Sequence, residues 1–289
     1  MKELVIISGK GGTGKTSLVS AFSSLAQNAV LCDADVDAAD LHLILSPRHR
    51  ERHPFHAGHR ARIDADACVQ CGDCRDRCRF GAVTEDFRID PVACEGCGVC
   101  AHFCPEGAVK MEPNLCGEWY VSDTRFGPMV HARLGIAEEN SGKLVTRVRT
   151  RARELAEAEN RNLILTDGPP GVGCPVIAAV GGAGAVLIVT EPTVSGRHDM
   201  ARVAELAEFF RIPTLMVINK FDLHPETGAA MEDYARERGI RPIGRLPFDT
   251  AFTRSMVAGQ TLFEYGRAPW IEEKVRETWR VVMDWVEAP

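Results

Sequence analysis

The octapeptide at positions 9–16, GKGGTGKT, restricts the fold of this chain more than any other segment. It matches the phosphate-loop pattern G-x-x-x-x-G-K-[ST] in full. An apolar run, Leu4–Ser8, precedes it, and a helical pattern, Lys15–Gln27, follows it. A glycine-rich turn with incidental lysines is the alternative, but the flanking strand and helix are the context that the motif requires. The segment therefore predicts a strand, loop and helix that bind the phosphates of a nucleotide.

The residues of this loop have separate expected roles. The glycines let backbone N–H groups converge on the phosphates at the positive end of the following helix. Lys15 is expected to contact the β- and γ-phosphates, and the Thr16 hydroxyl is expected to bind Mg²⁺. The predicted nucleotide-binding residues here are Gly9, Lys10, Gly11, Gly12, Thr13, Gly14, Lys15, Thr16 and Ser17.

Short apolar runs alternate with longer helical patterns, which predicts a parallel sheet wrapped by helices. The predicted strands are Leu4–Ser8, Ala29–Cys32, Leu163–Asp167, Ala185–Thr190 and Thr214–Asn219. The predicted helices are Lys15–Gln27, Gly142–Glu159, Arg197–Phe210, Glu226–Arg238 and Ile271–Val286. A hairpin is expected from Glu118–Val121 and Met129–Ala132, with its turn at Thr124–Pro128.

Aspartates follow or end two of these strands. Asp33 and Asp35 come directly after Ala29–Cys32, and Asp167 ends Leu163–Asp167 in the manner of a Walker B strand. Ligands of open α/β sheets bind at the carboxyl ends of the strands. We therefore predict Asp33 and Asp167 as Mg²⁺ ligands together with Thr16.

Cysteine is concentrated in one segment. Of eleven cysteines, eight lie between Cys68 and Cys104, in two copies of the spacing C-x2-C-x2-C-x3-C. The amino terminus is typical of a strand and not of a signal peptide, and no run approaches the roughly 20 apolar residues of a membrane span. We therefore expect a cytoplasmic protein, in which thiols stay reduced. Metal binding is the first explanation for so many cysteines there.

The two cysteine runs resemble those of bacterial ferredoxins, which hold two 4Fe-4S clusters. In that family the fourth cysteine of each run binds the other cluster. The resemblance implies Cys68, Cys71, Cys74 and Cys104 for one cluster, and Cys94, Cys97, Cys100 and Cys78 for the second. Zinc is the alternative, because paired C-x2-C units also bind zinc. The sequence departs from the ferredoxin pattern at Arg79, where a proline is usual.

Lys10, directly after Gly9, gives the loop a second lysine. With the aspartates above, the chain resembles the deviant Walker A ATPases, the family of MinD, ParA, Mrp and the nitrogenase iron protein. The resemblance implies that Lys10 reaches the nucleotide of the facing subunit in an ATP-dependent homodimer. It also implies that Asp35 polarises the attacking water and that the N–H of Gly171 senses the γ-phosphate. Lys10, Lys15, Asp35 and Asp167 are thus the predicted catalytic residues.

The base-binding residues are predicted from the run Asn219-Lys220-Phe221-Asp222. It resembles the base-recognition motif of related nucleotidases, in which Asn219 would hydrogen-bond adenine and Lys220 would lie beside it. An N-K-x-D run is more typical of guanine recognition, but the Lys10 signature favours ATP. Pro247 is expected to pack on the base.

These patterns divide the chain into three segments. Residues 1–61 and 113–289 form a predicted P-loop ATPase domain, and residues 62–112 form an inserted, small α+β ferredoxin-like domain. Ser46–Arg62, rich in Arg and His, is expected to be a mobile basic linker with its histidines on the surface. Among the remaining cysteines we expect Cys32 to be a buried free thiol, and a redox or metal role for Cys116 and Cys174 stays open.

The expected function follows from the two resemblances. ATP, Mg²⁺ and two 4Fe-4S clusters are the implied cofactors, and a homodimer driven by ATP would gate electron transfer to a partner metalloprotein. The alternative is a scaffold or carrier that builds metal clusters on a client protein. A positioning ATPase of the ParA/MinD kind is disfavoured by the acidic C-terminal helix and the cysteine-rich insert. The net charge of -6 argues against nucleic-acid or membrane partners.

Overall fold

The computed structural model describes residues 1–135, 138 and 141–288, which form two compact units. The first comprises Met1–His53, Trp119–Arg133 and Ser141–Pro289, and the second comprises Pro54–Glu118 and Leu134–Asn140. The predicted ferredoxin-like segment, 62–112, lies inside the second unit. The last residue of the predicted ATPase domain, Pro289, is outside the described residues.

The secondary-structure elements are as follows. The strands are β1 (Lys2–Ser8), β2 (Ala29–Asp33), β3 (Arg48–Ile63), β4 (Val109–Thr124), β5 (Gly127–Leu134), β6 (Leu163–Pro170), β7 (Ala185–Thr190), β8 (Thr214–Asn219) and β9 (Arg241–Leu246). The helices are α1 (Lys15–Leu25), α2 (Leu41–Leu45), α3 (Asp73–Asp76), α4 (Val99–His102), α5 (Ser141–Ala158), α6 (Cys174–Val180), α7 (Val194–Phe209), α8 (Pro225–Glu237), α9 (Thr250–Val257), α10 (Leu262–Tyr265) and α11 (Pro269–Glu287).

Within the described part of the chain these strands form one nine-stranded sheet, in the order β3-β4-β5-β2-β6-β1-β7-β8-β9. Across the sheet, the neighbouring strands β2, β6, β1, β7, β8 and β9 all pair in parallel. β5 also pairs in parallel with β2. The residues of β1, β2, β6, β7 and β8 are nearly all buried, because helices cover both sides of a parallel sheet. The register places Asp33 of β2 beside Asp167 of β6. The carboxyl ends of these strands therefore bring the predicted metal ligands together.

Most predicted elements of the sheet are confirmed. β7 and β8 have the predicted bounds, and β1, β2 and β6 extend the predicted strands by one to three residues. The five long predicted helices are present with ends shifted by at most three residues. The hairpin is also confirmed as β4 and β5, which are joined through Arg125 and Phe126.

The prediction of a mobile linker at Ser46–Arg62 is wrong, because most of this segment is strand β3. Its side chains alternate between half-buried and exposed from Glu51 to Gly58, as the two faces of a strand require. His49 accepts or donates a 3.0 Å hydrogen bond with the Ser122 hydroxyl, and the ring of His53 stacks 4.1 Å from that of Trp119. Most residues of the segment are charged or polar, so its hydropathy does not show the alternation between the two faces of the strand.

The second unit has a small core. Its buried members are Ala61, Cys74, Val83 and Val109, and further cysteines pack against them. The short helices α3 and α4 each begin after a glycine with positive φ, at Gly72 and Gly98. A core this small gives limited hydrophobic stabilisation, and small domains of this kind depend on metal or cross-links.

A search of the described helices finds none that is both long enough and apolar enough to span a bilayer.

Candidate nucleotide and metal sites

The phosphate loop connects β1 to α1 through backbone conformations that need glycine. Gly12 and Gly14 have φ of 80° and 91°, and Gly14 is the N-cap of α1. A Cβ on Gly14 would lie 2.4 Å from Nδ2 of Asn219, and this amide nitrogen donates a 2.8 Å hydrogen bond to the Thr13 carbonyl. A Cβ on Gly9 would lie 2.3 Å from Cβ of Asp199. The loop is therefore fixed against two neighbouring segments.

A cleft with about 840 Å³ of open space lies over this loop. Its lining residues are Ser8, Gly11, Gly12, Thr13, Gly14, Lys15, Thr16, Ser17, Asp35, Ala38, Asp40, Pro170 and Met256. The predicted loop residues from Gly11 to Ser17 are thus brought together around one space. Met256, on α9, is a lining residue that the sequence did not suggest, because nothing local relates it to the loop.

Lys15 and three aspartates form the charged centre beside the cleft. Lys15 Nζ lies 2.5 Å from Oδ1 of Asp167 and 3.4 Å from Oδ2 of Asp35. Oδ2 of Asp33 and Oδ2 of Asp167 are buried, and in the described part of the chain neither has a hydrogen-bond partner. Unpartnered buried carboxylate oxygens are costly unless a cation binds them. With the Thr16 hydroxyl, they make a donor set of hard oxygens that fits Mg²⁺.

The pKa values report how strongly these charges interact. Burial and the neighbouring Asp167 carboxylate raise the pKa of Asp33 well above its usual value. Burial also raises the pKa of Asp35, against the opposing effect of Lys15. Burial lowers the pKa of Lys15, but the charges of Asp167 and Asp35 outweigh it, so the pKa is raised. The three carboxylates therefore carry more negative charge than Lys15 alone balances. A bound divalent cation would neutralise the excess.

Gly171 lies just beyond β6 with φ of 91°. Its N–H donates a 2.9 Å hydrogen bond to the carbonyl of Ser8. A contact of this N–H with a γ-phosphate would require the segment to turn away from β1, so the predicted sensor role stays a prediction.

The predicted base site is a second cavity, with about 540 Å³ of open space. Its lining residues are Gly12, Gly14, Ser17, Asn219, Lys220, Phe248, Asp249, Phe252 and Thr253. Asn219 and Lys220 line it as expected, whereas Pro247 is not among the lining residues and its neighbour Phe248 is. Oδ1 of Asp222 accepts a 2.6 Å hydrogen bond from the Phe248 N–H, so this carboxylate anchors the loop. Phe248 and Phe252 were missed, although aromatic rings near an N-K-x-D run are a usable signal for base stacking.

Lys10 does not line the phosphate cleft. Its ammonium lies 2.6 Å from Oε1 of Glu191 and 3.1 Å from the hydroxyl of Ser195. Neither partner was suggested by the sequence, because both come just after β7 and lie more than 180 residues from Lys10 along the chain.

The second unit contains two further cavities, each lined by four cysteines. One has about 340 Å³ of open space and is lined by Cys68, Cys71, Cys74 and Cys104, and the other has about 350 Å³ and is lined by Cys78, Cys94, Cys97 and Cys100. These are the two groups of four that the ferredoxin resemblance implied. The fourth cysteine of each run lies with the first three cysteines of the other run.

The spacing of these thiols bears on the zinc alternative. Zinc–sulfur bonds of about 2.3 Å would hold four sulfurs within about 3.8 Å of one another. Among the described residues, no three His, Cys, Asp or Glu side chains are placed to hold a single metal ion. Each group of four cysteines surrounds open space. Burial raises the pKa of Cys74 and of Cys100, and a bound cationic group would oppose this shift.

The other three cysteines differ in their surroundings. Cys32 is fully buried in β2, as expected, and burial raises the pKa of its thiol. Cys116 is buried and its Sγ donates to the Ala57 carbonyl at 3.1 Å. Cys174 is exposed at the start of α6. None of the three lines either cysteine cavity.

A phosphate loop between β1 and α1, with Asp33 at the end of β2 and Asp167 beside it on β6, defines a P-loop ATPase. Residues 4–262 match the CobQ/CobB/MinD/ParA nucleotide binding domain, and the chain belongs to that family.

The chain is similar to several known proteins. It is 37% identical over 221 residues to the uncharacterized protein MJ0578 of Methanocaldococcus jannaschii, covering 75% of this chain and 78% of the relative. It is 26% identical over 274 residues to a putative septum site-determining protein MinD of Mesostigma viride, covering 90% and 76%.

Two solved structures share the fold. The MinC:MinD cell division complex of Aquifex aeolicus has a TM-score of 0.59 at 19% identity, covering 98% of this chain and 96% of that one. MinD of Pyrococcus horikoshii, complexed with Mg-ADP, has a TM-score of 0.60 at 15% identity, covering 99% and 97%. At such identities the likeness establishes the α/β fold alone.

Proposed function

We propose that this ATPase is a nucleotide-dependent switch of the ParA/MinD type. ATP and Mg²⁺ bind in the phosphate cleft and join two copies, and hydrolysis separates them. The observation that carries the proposal is the charged centre, in which Lys15 lies between carboxylates whose remaining oxygens lack partners. In such a centre the lysine can bind the phosphate oxygens of a triphosphate, and the unpartnered carboxylate oxygens can bind its Mg²⁺.

The similar folds favour this function over ATP-gated electron transfer as the main function. They include MinD, the ParA family ATPase of Chlorobium tepidum and McdA of Cyanothece. The positioning ATPase, disfavoured from the sequence, is therefore better supported than the sequence suggested.

The chain's own residues divide the chemistry between them. Lys15 leaves its carboxylate partners and neutralises the β- and γ-phosphate oxygens. Thr16, Asp33 and Asp167 hold Mg²⁺, which supplies charge stabilisation. Asp35 orients the attacking water, and Lys10 of the facing copy adds positive charge as the γ-phosphoryl group separates.

The substitution Lys10→Ala tests this proposal. We expect ATP hydrolysis to fall about 100-fold, the usual effect of removing one donor to the transition state. Binding of a fluorescent ATP analogue should change little, since Lys10 lies outside the cleft of its own copy. Lys143→Ala, an exposed lysine on α5, is the matched control and should hydrolyse ATP normally. Hydrolysis by Lys10→Ala at the unaltered rate would contradict the proposal.

The two cysteine cavities favour a second function, the holding of two 4Fe-4S clusters. Each cavity has the four thiolates that one cluster needs. Backbone N–H groups also point to ligand sulfurs: Ala82 N lies 3.4 Å from Sγ of Cys78, and Ala108 N lies 3.3 Å from Sγ of Cys104. Such hydrogen bonds tune the potential of a resident cluster. They support electron transfer over a scaffold that must release its cargo.

Iron analysis and electron paramagnetic resonance of anaerobically prepared protein test this second function. We expect about eight iron atoms per chain and two interacting signals after reduction. Cys104→Ser should remove the cluster bound by Cys68, Cys71 and Cys74 and leave about four irons. Cys174→Ser, which changes an exposed cysteine, is the control and should keep both clusters. Zinc in place of iron would overturn this function, and transfer of iron to an apo-protein would support the scaffold instead.

A further inference from the structure

The side chain of Glu191 holds two lysines of the nucleotide site at once. Its Oε1 lies 2.6 Å from Nζ of Lys10, and its Oε2 lies 2.9 Å from Nζ of Lys220. Lys220 Nζ also donates a 3.0 Å hydrogen bond to the carbonyl of Gly12 in the phosphate loop. The Glu191 side chain is only 13% exposed, compared with 34% for Lys10. This carboxylate is thus largely shielded from water and fully paired.

The loop that carries Glu191 is fixed by its own contacts. Thr193 caps α7 by accepting a 2.9 Å hydrogen bond from the Gly196 N–H. A Cβ on Gly196 would lie 2.3 Å from the Glu191 carbonyl, so the chain turns tightly here. Ser195, in the same turn, is the second partner of Lys10. The two groups that bind the Lys10 ammonium, the Glu191 carboxylate and the Ser195 hydroxyl, therefore belong to a turn that is fixed by its own contacts.

The charge state of Glu191 agrees with this geometry. Burial would raise its pKa, but the hydrogen bonds from Lys10 and Lys220 hold the pKa below its usual value. The carboxylate is therefore ionised at neutral pH, and the ion pair with Lys10 is present there.

We propose that Glu191 is a positioning residue that holds Lys10 on its own copy and thereby opposes closure of the ATP-bound dimer. This inference rests on the proposed function, in which Lys10 acts on the facing copy. Lys10 cannot reach a second copy while its ammonium is bound to Glu191 and Ser195. Each copy contributes one such pair, so closing a symmetric dimer opens two.

Lys220 makes this opening reversible. A buried carboxylate that loses its only partner is strongly destabilised. Glu191 keeps Lys220 when Lys10 leaves, so the carboxylate stays paired while the lysine is away. The same lysine contacts the phosphate loop at Gly12, which places the restraint next to the bound nucleotide.

The substitution Glu191→Gln tests the inference, because it removes the charge and keeps the shape. A partly exposed ion pair contributes about a 2- to 5-fold factor. With two pairs opened per dimer, the dimer formed with Mg²⁺ and the non-hydrolysable analogue AMPPNP should be about 4- to 25-fold tighter by sedimentation. Affinity of the monomer for nucleotide should stay unchanged, and the melting temperature should fall by no more than about 4 °C, because the lost ion pairs are partly exposed. Glu205→Gln, which changes an exposed carboxylate on α7, is the matched control and should dimerise as the unaltered protein does.

The outcomes separate the two proposals. If Glu191→Gln dimerises no more tightly than the unaltered protein, while Lys10→Ala still lowers hydrolysis about 100-fold, the restraint is wrong and the proposed function stands. If the unaltered protein forms no dimer with AMPPNP, both are wrong. A lower melting temperature of Glu191→Gln with no gain in dimerisation would indicate a purely structural residue. If that variant does not fold, Glu191→Asp, which weakens the pair by shortening the side chain, gives the same readout.

Discussion

At the scale of single residues, Asp33 and Asp167 combine a functional role with a cost to stability. Both are buried, they are neighbours on adjacent strands, and each has one oxygen without a partner. A folded domain that places two carboxylates this way loses stability in exchange for a ready cation site.

Asp33→Asn should separate these two effects. The pKa of Asp33 is raised on folding, so this carboxyl weakens the fold as the pH rises above its unfolded value near 4. The amide removes that penalty, and we expect the free energy of unfolding at pH 7 to increase by about 1 kcal/mol in urea titrations. Mg²⁺-dependent hydrolysis should fall about 100-fold.

Asp40→Asn is the control for this change, because Asp40 lines the cleft but is exposed. It should alter neither stability nor hydrolysis by more than about twofold. Full Mg²⁺-dependent hydrolysis by Asp33→Asn would show that Asp33 is not a metal ligand.

Residues of the site that lie in one sequence motif could be predicted, and those that meet only through the fold could not. The phosphate loop and the strand-end aspartates carry their context with them, since strand, loop and helix are consecutive. Glu191, Phe248 and Met256 reach the site from loops or helices remote in sequence. Their residue types have many other uses, so no local pattern distinguishes them.

At the scale of elements, burial decided which strands the sequence could reveal. β7 and β8 are continuous apolar runs because helices cover both faces, and their bounds were predicted correctly. β3 and β9 lie at the edges of the sheet and carry arginines, so neither shows such a run. The apolar signal records contact with the core, and edge strands have little of it.

The contact between α8 and β9 gives a testable pH dependence. Glu232 of α8 is buried and binds Arg245 of β9 through two hydrogen bonds of 2.7 and 2.8 Å, and it also binds Arg236. These arginines lower the pKa of Glu232. The stabilisation is therefore complete above the unfolded value near 4.5 and is lost as the pH falls through the lowered pKa.

Glu232→Gln should lower the free energy of unfolding by about 2 kcal/mol at pH 7. The difference from the unaltered protein should shrink toward zero between pH 4.5 and pH 2, as measured by urea titration. Asp233→Asn, next in sequence and exposed, is the control and should have little effect. A difference that persists at low pH would mean that packing, not charge, dominates at this position.

At the scale of the whole molecule, the two units rely on different sources of stability. The first has an extensive apolar core around the sheet, which includes Phe22 and Trp279 with ring centroids 4.9 Å apart. The second has few buried apolar residues, and its cysteines occupy positions where a larger unit would have aliphatic side chains. The fold of the first unit was predictable from its hydrophobic pattern, whereas a ferredoxin-like fold for the second unit stays a prediction from the spacing of its cysteines.

The edge strands also limit how copies of this chain can associate. Among the described strands, β3 and β9 end the sheet, with arginines and histidines on β3 and Pro242 within β9. At β3, repulsion between cations disfavours pairing with the edge strand of another molecule. At β9, Pro242 has no N–H to donate to such a strand. Association is thereby directed away from open-ended, fibre-like stacking and toward surfaces that close on themselves.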